Sequence, residues 1–234
     1  MLYNPIGFLF FVASWFLFAL LVALVEIGIL QHVFESMGIS RRYMLALLLF
    51  CLIGSYINIP VARLPGHHEP AGEVVNFFGM QYIVPVVVNS PGTVIAINVG
   101  GALIPFVLSL YLMVKHGLYG PSIIAVGIVT IVVHLMARPV PGVGIAVPIF
   151  IPPVITAIVA VILFRKNPAP LAYIAGSLGT LIGADLLNLD KVRGLGAPVA
   201  SIGGAGKFDG IFLTGVMAVL LAGMLGGRRR ARTS

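Results

Sequence analysis

The sequence predicts an all-α fold, a polytopic transmembrane bundle of about seven helices with Gly- and Pro-rich outer loops. Of the 234 residues, 59% are hydrophobic and 9% are charged, and the mean hydropathy is +1.11. Soluble domains carry about 25% charged residues, so a water-soluble fold could not hide this much apolar surface. The apolar residues also fall into runs of membrane-spanning length.

Seven apolar stretches form the predicted helices, several of them close to the lower limit of about 17 residues for a span. The first has no basic leading region and no small-residue cleavage site, so we expect a retained helix rather than a signal peptide. The stretches are Ile6 to Leu30, Tyr43 to Pro60, Thr93 to Val114, Pro121 to Ala137, Val147 to Phe164, Pro170 to Leu187 and Gly210 to Gly226.

A shorter apolar segment lies between the second and third predicted helices. Gln81 to Asn89 is rich in β-branched residues but contains Pro85, and a Ser-Pro-Gly turn signal follows it. It is too short to span a bilayer as a helix. Residues 81–92 are therefore predicted to form an extended or re-entrant piece packed against the protein.

The 14 Lys and Arg residues flank the apolar runs, which indicates membrane topology rather than nucleic-acid binding. With the N-terminus outside, the larger share of them falls on the cytoplasmic side. We therefore predict a cell-membrane protein with its N-terminus outside and its C-terminus in the cytoplasm. Residues 1–227 form one transmembrane domain, residues 228–234 form a basic cytoplasmic tail, and membrane lipid is the expected partner.

The three predicted outer connections are longer than the inner ones and dense in Gly and Pro. They are Arg63 to Gly92, Arg138 to Ala146 and Asn188 to Asp209. Gly and Pro can simply make compact turns close to the membrane, where exposed backbone is costly. Because three such loops share one face of the predicted bundle, we favour a functional site there.

Two aspartates are the main candidates for chemistry. Asp185 lies near the outer end of the sixth predicted helix and Asp209 at the outer start of the seventh. Successive antiparallel helices bring such ends together, so we expect the carboxylates to face one another. A close pair shares one proton because two like charges in a low dielectric cannot both ionise, which suits general acid and base catalysis.

Both aspartates also have structural interpretations. Asp209 precedes Gly210 and an apolar helix, which is the position of an N-cap. Asp185 can pair with Lys191 or Arg193, although an ionisable residue within a membrane helix is a functional candidate by default.

A glycine-rich run precedes Asp209. Gly203, Gly204 and Gly206 stand before Lys207 as in a phosphate-binding loop, but the GK[ST] ending of such a loop is absent and Asp209 would repel a phosphate. Close backbone packing is the better explanation of the glycines.

Two amides lie on the same predicted side as the aspartates. Asn58 and Asn98 are near the outer ends of the second and third predicted helices. Such amides join helices by hydrogen bonds, or they line a polar pocket together with Gly203, Gly204, Gly206 and Lys207.

No metal site or cofactor is predicted. His67, His68, Glu69 and Glu73 cluster in the first outer loop, but adjacent histidines point in different directions and no HExxH spacing is present. We expect a solvated polar loop. His134, in the fourth predicted helix, is expected to be hydrogen-bonded structurally.

At INVGGALIP, RPVPGVGIAVPIFIPP, GADLLNL and ASIGGAGKFDGIFLTG, the chain resembles an uncharacterised family of prokaryotic membrane proteins known only as domain of unknown function 1614. The resemblance covers most of the chain from about Ile57 to Leu221. It implies a multi-pass membrane protein and supplies no activity.

More distantly, Asp185 and the GxGxxD pattern that ends at Asp209 are similar to the paired aspartates of presenilin-like and prepilin-type intramembrane aspartic proteases. The resemblance implies hydrolysis of a membrane-embedded peptide by Asp185 and Asp209. Two other hypotheses stay open. One is a proton- or cation-coupled small-solute transporter in which Asp185 titrates, and the other is a non-catalytic scaffold in which both aspartates are structural caps.

Overall fold

The computed structural model describes residues 26–65, 68–77, 80–89, 92–140, 144–192, 199–204 and 210–230. These residues are mostly helical, as predicted. The α-helices are α1 (Glu26–Ser36), α2 (Arg41–Gly54), α3 (Ile104–His116), α4 (Tyr119–Met136), α5 (Ile151–Leu163), α6 (Pro168–Thr180) and α7 (Gly210–Arg230). The strands are β1 (Asn58–Leu64), β2 (His68–Phe77), β3 (Met80–Asn89), β4 (Thr93–Asn98), β5 (Arg138–Val140), β6 (Gly144–Ala146) and β7 (Val199–Ile202).

Within these ranges, three helical segments are long and apolar enough to cross a membrane: Val99–His116, Tyr119–Met136 and Pro168–Asn188. Helices α1 and α2 meet at an angle of 111° and add a fourth span if they form one broken span. The apolar helices Ile151–Leu163 and Thr214–Leu225 are shorter. Most of the first predicted helix, up to residue 25, lies outside the described residues, so a bundle of seven spans remains a prediction.

The prediction of an all-α fold is wrong at one end of the helices, where strands replace the predicted helix ends. Residues 58–60 of the second predicted helix belong to β1, and residues 93–98 of the third form β4. Strand β4 lies between β1 and β7, antiparallel to the former and parallel to the latter. A continuous apolar run does not distinguish a buried strand from a buried helix, and the β-branched run TVIAIN favours the strand.

The expectation of an extended segment is confirmed for residues 81–89. They lie in β3, which pairs antiparallel with β2 from His68 opposite Asn89 to Phe77 opposite Met80. Residues 90 and 91 are outside the described part of the chain. The sequence interpretation missed the partner strand, β2.

Helix α6 is the centre of the helical core. It contacts α3, α4, α5 and α7, and every residue from Pro168 to Ser177 is buried. Glycines set the close approach, since a Cβ at Gly179 would lie 2.6 Å from Cγ1 of Val129, and one at Gly183 would lie 2.6 Å from the carbonyl oxygen of Thr130. Small residues of this kind let helices pack closely in a membrane.

Helix α4 turns its other face outward. Ile123 is 73% exposed, Leu135 is 78% exposed, and Ile131 lies between them on the same exposed face. A row of large exposed apolar side chains is expected where a helix faces lipid. At its far end, α7 continues through Arg230, so the first three arginines of the predicted tail are helical, while residues 231–234 lie outside the described ranges.

The strands gather at one end of the helices, which we call the strand end. The β1-β4-β7 sheet joins the connections that follow α2 and α6, and β6 contacts the short helix Leu181–Asp185. Described parts of all three Gly- and Pro-rich connections therefore meet there.

Candidate functional site

Two π-helices interrupt the spans at the strand end. Val99–Leu103 precedes α3, and Leu181–Asp185 follows α6. A π-helical turn widens the helix and often marks a functional position. The first contains Gly100 and Gly101, where a Cβ would collide with the backbone of Cys51 and of Gly203, respectively.

Asn98 joins the pieces around the first π-helix. Its Oδ1 accepts a hydrogen bond from the Gly101 amide at 2.7 Å, and its Nδ2 donates to the Ser55 carbonyl at 2.7 Å and to Asn58 Oδ1 at 3.1 Å. The residue is only 1% exposed. The hydrogen-bonding groups of a buried side chain must be satisfied. Here the Asn98 amide satisfies them by connecting the end of α2, β1 and the start of the first π-helix.

Asn58 continues the network to β7. The Ser201 hydroxyl lies 2.6 Å from Asn58 Oδ1 and 2.7 Å from the Gly204 carbonyl oxygen, and it donates to one of them at a time. Ile97 of β4 pairs with Ile202 of β7, next to Ser201. The sequence reasoning missed Ser201, although it lies in the ASIGGAGKFDGIFLTG stretch that carries the family resemblance.

Asp185 lies at the end of the second π-helix, and its carboxylate meets the glycine run. The Gly203 amide donates to Asp185 Oδ2 at 2.8 Å. Gly203 and Gly204 have φ of +86° and +78°, the left-handed region in which side chains are strained. A carboxylate near the C-terminal end of a helical run faces the negative end of the helix dipole, so a backbone amide donor stabilises its charge.

The strand end therefore brings together five of the predicted site residues: Asn58, Asn98, Asp185, Gly203 and Gly204. Gly206, Lys207 and Asp209 lie outside the described residues, so the facing of the two aspartates stays a prediction. The side chains of the predicted His67, His68, Glu69 and Glu73 cluster are also outside the described part.

Asn188 is a second residue that sequence reasoning missed. Its Nδ2 donates to the carbonyls of Gly183 and Ala184, both at 2.9 Å, and its Oδ1 accepts from Lys191 Nζ at 2.7 Å. It caps carbonyls that the end of the π-helix leaves open. Its position just after an apolar run, in the stretch GADLLNL, is the signal that could have found it.

Polar atoms also occur inside the helical core. Among the described residues, seven buried side-chain atoms have no hydrogen-bond partner: Ser109 Oγ, Ser122 Oγ, Thr130 Oγ1, His134 Nδ1, Thr156 Oγ1, Ser177 Oγ and Thr180 Oγ1. Burying such groups without partners is costly. Thr130 and His134 lie on the stretch of α4 that packs against the second π-helix, since a Cβ at Gly183 would be 3.2 Å from the His134 amide nitrogen.

Apolar helices of spanning length, two π-helical interruptions and a carboxylate at the strand end are compatible with the class of membrane proteins that have discontinuous helices. The chain belongs to the family described as Protein of unknown function (DUF1614), whose model matches residues 52–221. The matched range contains every residue of the network described above. No curated protein and no solved structure matches the chain.

Proposed function

We propose that this chain is a membrane transporter in which Asp185 binds a proton or a small cation. The observation that carries the proposal is the position of the Asp185 carboxylate, at the π-helical end of the most buried span and bonded to the Gly203 amide. A carboxylate within a membrane protein is costly and marks ion or proton pathways.

The interrupted helices support the same function. Secondary transporters bind substrates and coupling ions where helices are broken, because the break frees backbone groups for the ligand. Here the two π-helices are connected through Gly203. Gly101 of the first π-helix lies directly against the Gly203 backbone, and the Gly203 amide donates a hydrogen bond to Asp185 at the end of the second π-helix.

The buried polar atoms of α4 and α6 add a third argument. Thr130, His134 and Thr180 carry such atoms without partners in the described part of the chain, near the same π-helix. Chains of hydroxyl and imidazole groups relay protons or bind cations in a dry bundle.

Proton flux tests this proposal without knowledge of the solute. The purified chain is reconstituted in liposomes that enclose a pH-sensitive dye, and a pH gradient is imposed. We expect Asp185→Asn to reduce the flux at least about tenfold, because a neutral amide cannot exchange the proton. The matched control is Asp190→Asn, which changes an exposed carboxylate five residues away and should leave the flux intact. The proposal would be contradicted if neither protons nor a small cation crossed the membrane faster than in empty liposomes.

A second candidate is intramembrane proteolysis by Asp185 and Asp209. The Gly203 contact favours it, since Asp185 is bonded to the first glycine of the run that leads to Asp209. One carboxylate would take a proton from water, whose oxygen adds to the peptide carbonyl, and the other would protonate the leaving nitrogen. Proteolysis predicts that Asp185→Asn and Asp209→Asn both abolish cleavage of a membrane-spanning peptide. Transport by Asp185 alone predicts that Asp209→Asn retains proton flux.

A further inference from the structure

A long apolar groove lies between α2 and α3. It has a volume of about 1000 Å³, at the upper limit of ordinary ligand pockets, about 300–1,000 Å³. The groove follows the full length of α2, which is about 20 Å at 1.5 Å per residue. Its walls are aliphatic and aromatic along this length, and they include Leu47, Phe50, Ile53, Leu103, Val107 and Leu108.

Charge is placed at one end of this groove. Lys115, in the last turn of α3, is the charged side chain among the described lining residues. Its Nζ donates to the Gly38 carbonyl at 2.6 Å and lies 5.3 Å from the centre of the Tyr111 ring. An ammonium group has three N–H donors, so two remain for an anionic ligand. The exposed Arg41 and Arg42, at the start of α2, add positive charge at the same end.

No acidic side chain is among the described residues that line the groove. Glu35 is the nearest acidic residue along the chain, and its carboxylate accepts a hydrogen bond from Gln31. Ser40, which also lines the groove, makes no capping hydrogen bond to α2. The opposite end, at Ile57 and Val99, is apolar.

We propose that the α2–α3 groove binds one anionic phospholipid, with an acyl chain along α2 and the phosphate at Lys115. The groove, about 20 Å long, exceeds the thickness of the hydrocarbon layer of one leaflet, which is about 15 Å. Lysine is a common phosphate ligand, and basic residues at the ends of membrane helices attract anionic lipids. A free phosphate would make no contact with the apolar length of the groove. A zwitterionic lipid carries no net negative charge to balance the excess of positive charge at the Lys115 end.

Native mass spectrometry of the full chain tests the lipid. Phosphatidylglycerol and phosphatidylcholine with identical acyl chains are added to the detergent-purified protein. We expect one phosphatidylglycerol to be retained in preference to phosphatidylcholine, and Lys115→Gln to lower this preference at least about fivefold while Lys115→Arg keeps it. Equal retention of the two lipids, or an unchanged preference in Lys115→Gln, would overturn the proposal. Displacement by inorganic phosphate or by palmitate would assign the site to those ligands instead.

Filling the groove tests the apolar part separately. Ala46 lines the groove, so Ala46→Trp should remove bound phosphatidylglycerol. Ile124→Trp, on the exposed face of α4, is the matched control and should bind lipid like the parent chain. A dimer that carries no lipid and dissociates in Ala46→Trp would mean that a second copy of the chain occupies the groove, which contradicts the proposal.

Discussion

Replacing Gly101 with alanine perturbs the point at which the two interrupted spans meet. A Cβ at Gly101 would collide with the backbone of Gly203, and a Cβ at Gly203 would lie 2.5 Å from the Ala102 amide nitrogen. Backbone atoms cannot rotate away as a flexible side chain can. The first π-helix and the glycine run must therefore separate to admit the methyl group.

The cost can be estimated from the contacts that would be strained. Overpacking a tight site costs about 1–3 kcal/mol. Separation also weakens the 2.7 Å bond from Gly101 to Asn98 and the 2.8 Å bond from Gly203 to Asp185, which contribute about 1 kcal/mol and about 2 kcal/mol, respectively. We expect Gly101→Ala to lower the free energy of unfolding by about 3–5 kcal/mol. For a chain of this size, that is a fall in Tm of about 10 °C.

Thermal unfolding in detergent at one fixed scan rate measures this effect. The matched control is Gly127→Ala in α4, because a Cβ there would meet nothing within 4 Å. A helix-interior alanine is favoured over glycine by about 1 kcal/mol, so Gly127→Ala should keep or raise the Tm. If Gly101→Ala melts within about 2 °C of the parent chain, the close backbone crossing is wrong.

Three further predictions follow from the same contacts and from the charge placement. Asn98→Ala removes three hydrogen bonds of a buried amide and should lower the free energy of unfolding by about 3 kcal/mol in the same melting assay. Asn58→Ala should lower it by about 1 kcal/mol. Equal losses would contradict the conclusion that Asn98 joins the end of α2, β1 and the first π-helix. Ser201→Ala removes one hydroxyl shared by two acceptors and should cost about 1 kcal/mol, and a stabilised variant would argue against that bond. A fluorescent protein fused after Ser234 should fold and fluoresce in cells while an alkaline phosphatase fusion stays inactive, because basic ends remain in the cytoplasm; the reverse pattern would invert the proposed topology.

The sequence predicted the three helical segments of spanning length because each is a long apolar run with no more than one charged residue. It failed at the helix ends, where Thr93 to Asn98 are as apolar as a helix yet form the middle strand of a sheet. Strand pairing depends on partners far away in the chain, such as β7 for β4, and no local pattern contains that information. Helix α5 begins at Ile151 rather than at the predicted Val147, and Pro152 and Pro153 lie in its first turn, where proline is tolerated.

The candidate site was predicted in part for a simple topological reason. Asn58, Asn98, Asp185, Gly203 and Gly204 all lie next to connections that an alternating helical topology places at one end. The bonds among them depend on register and on left-handed glycine conformations, which composition does not reveal. Asn188 and Ser201 lie in the stretches GADLLNL and ASIGGAGKFDGIFLTG, but the family resemblance assigns no role to either residue, so sequence reasoning had no chemical reason to select them.

The proton flux of Asp185→Asn, relative to the parent chain in the same liposomes, tests the central claim most directly. The account predicts a loss of at least about tenfold with the Tm changed by only a few degrees, because the variant keeps an oxygen that can accept from Gly203. Flux equal to that of the parent chain, in a variant that folds, would contradict the role of Asp185 as the ion-binding carboxylate.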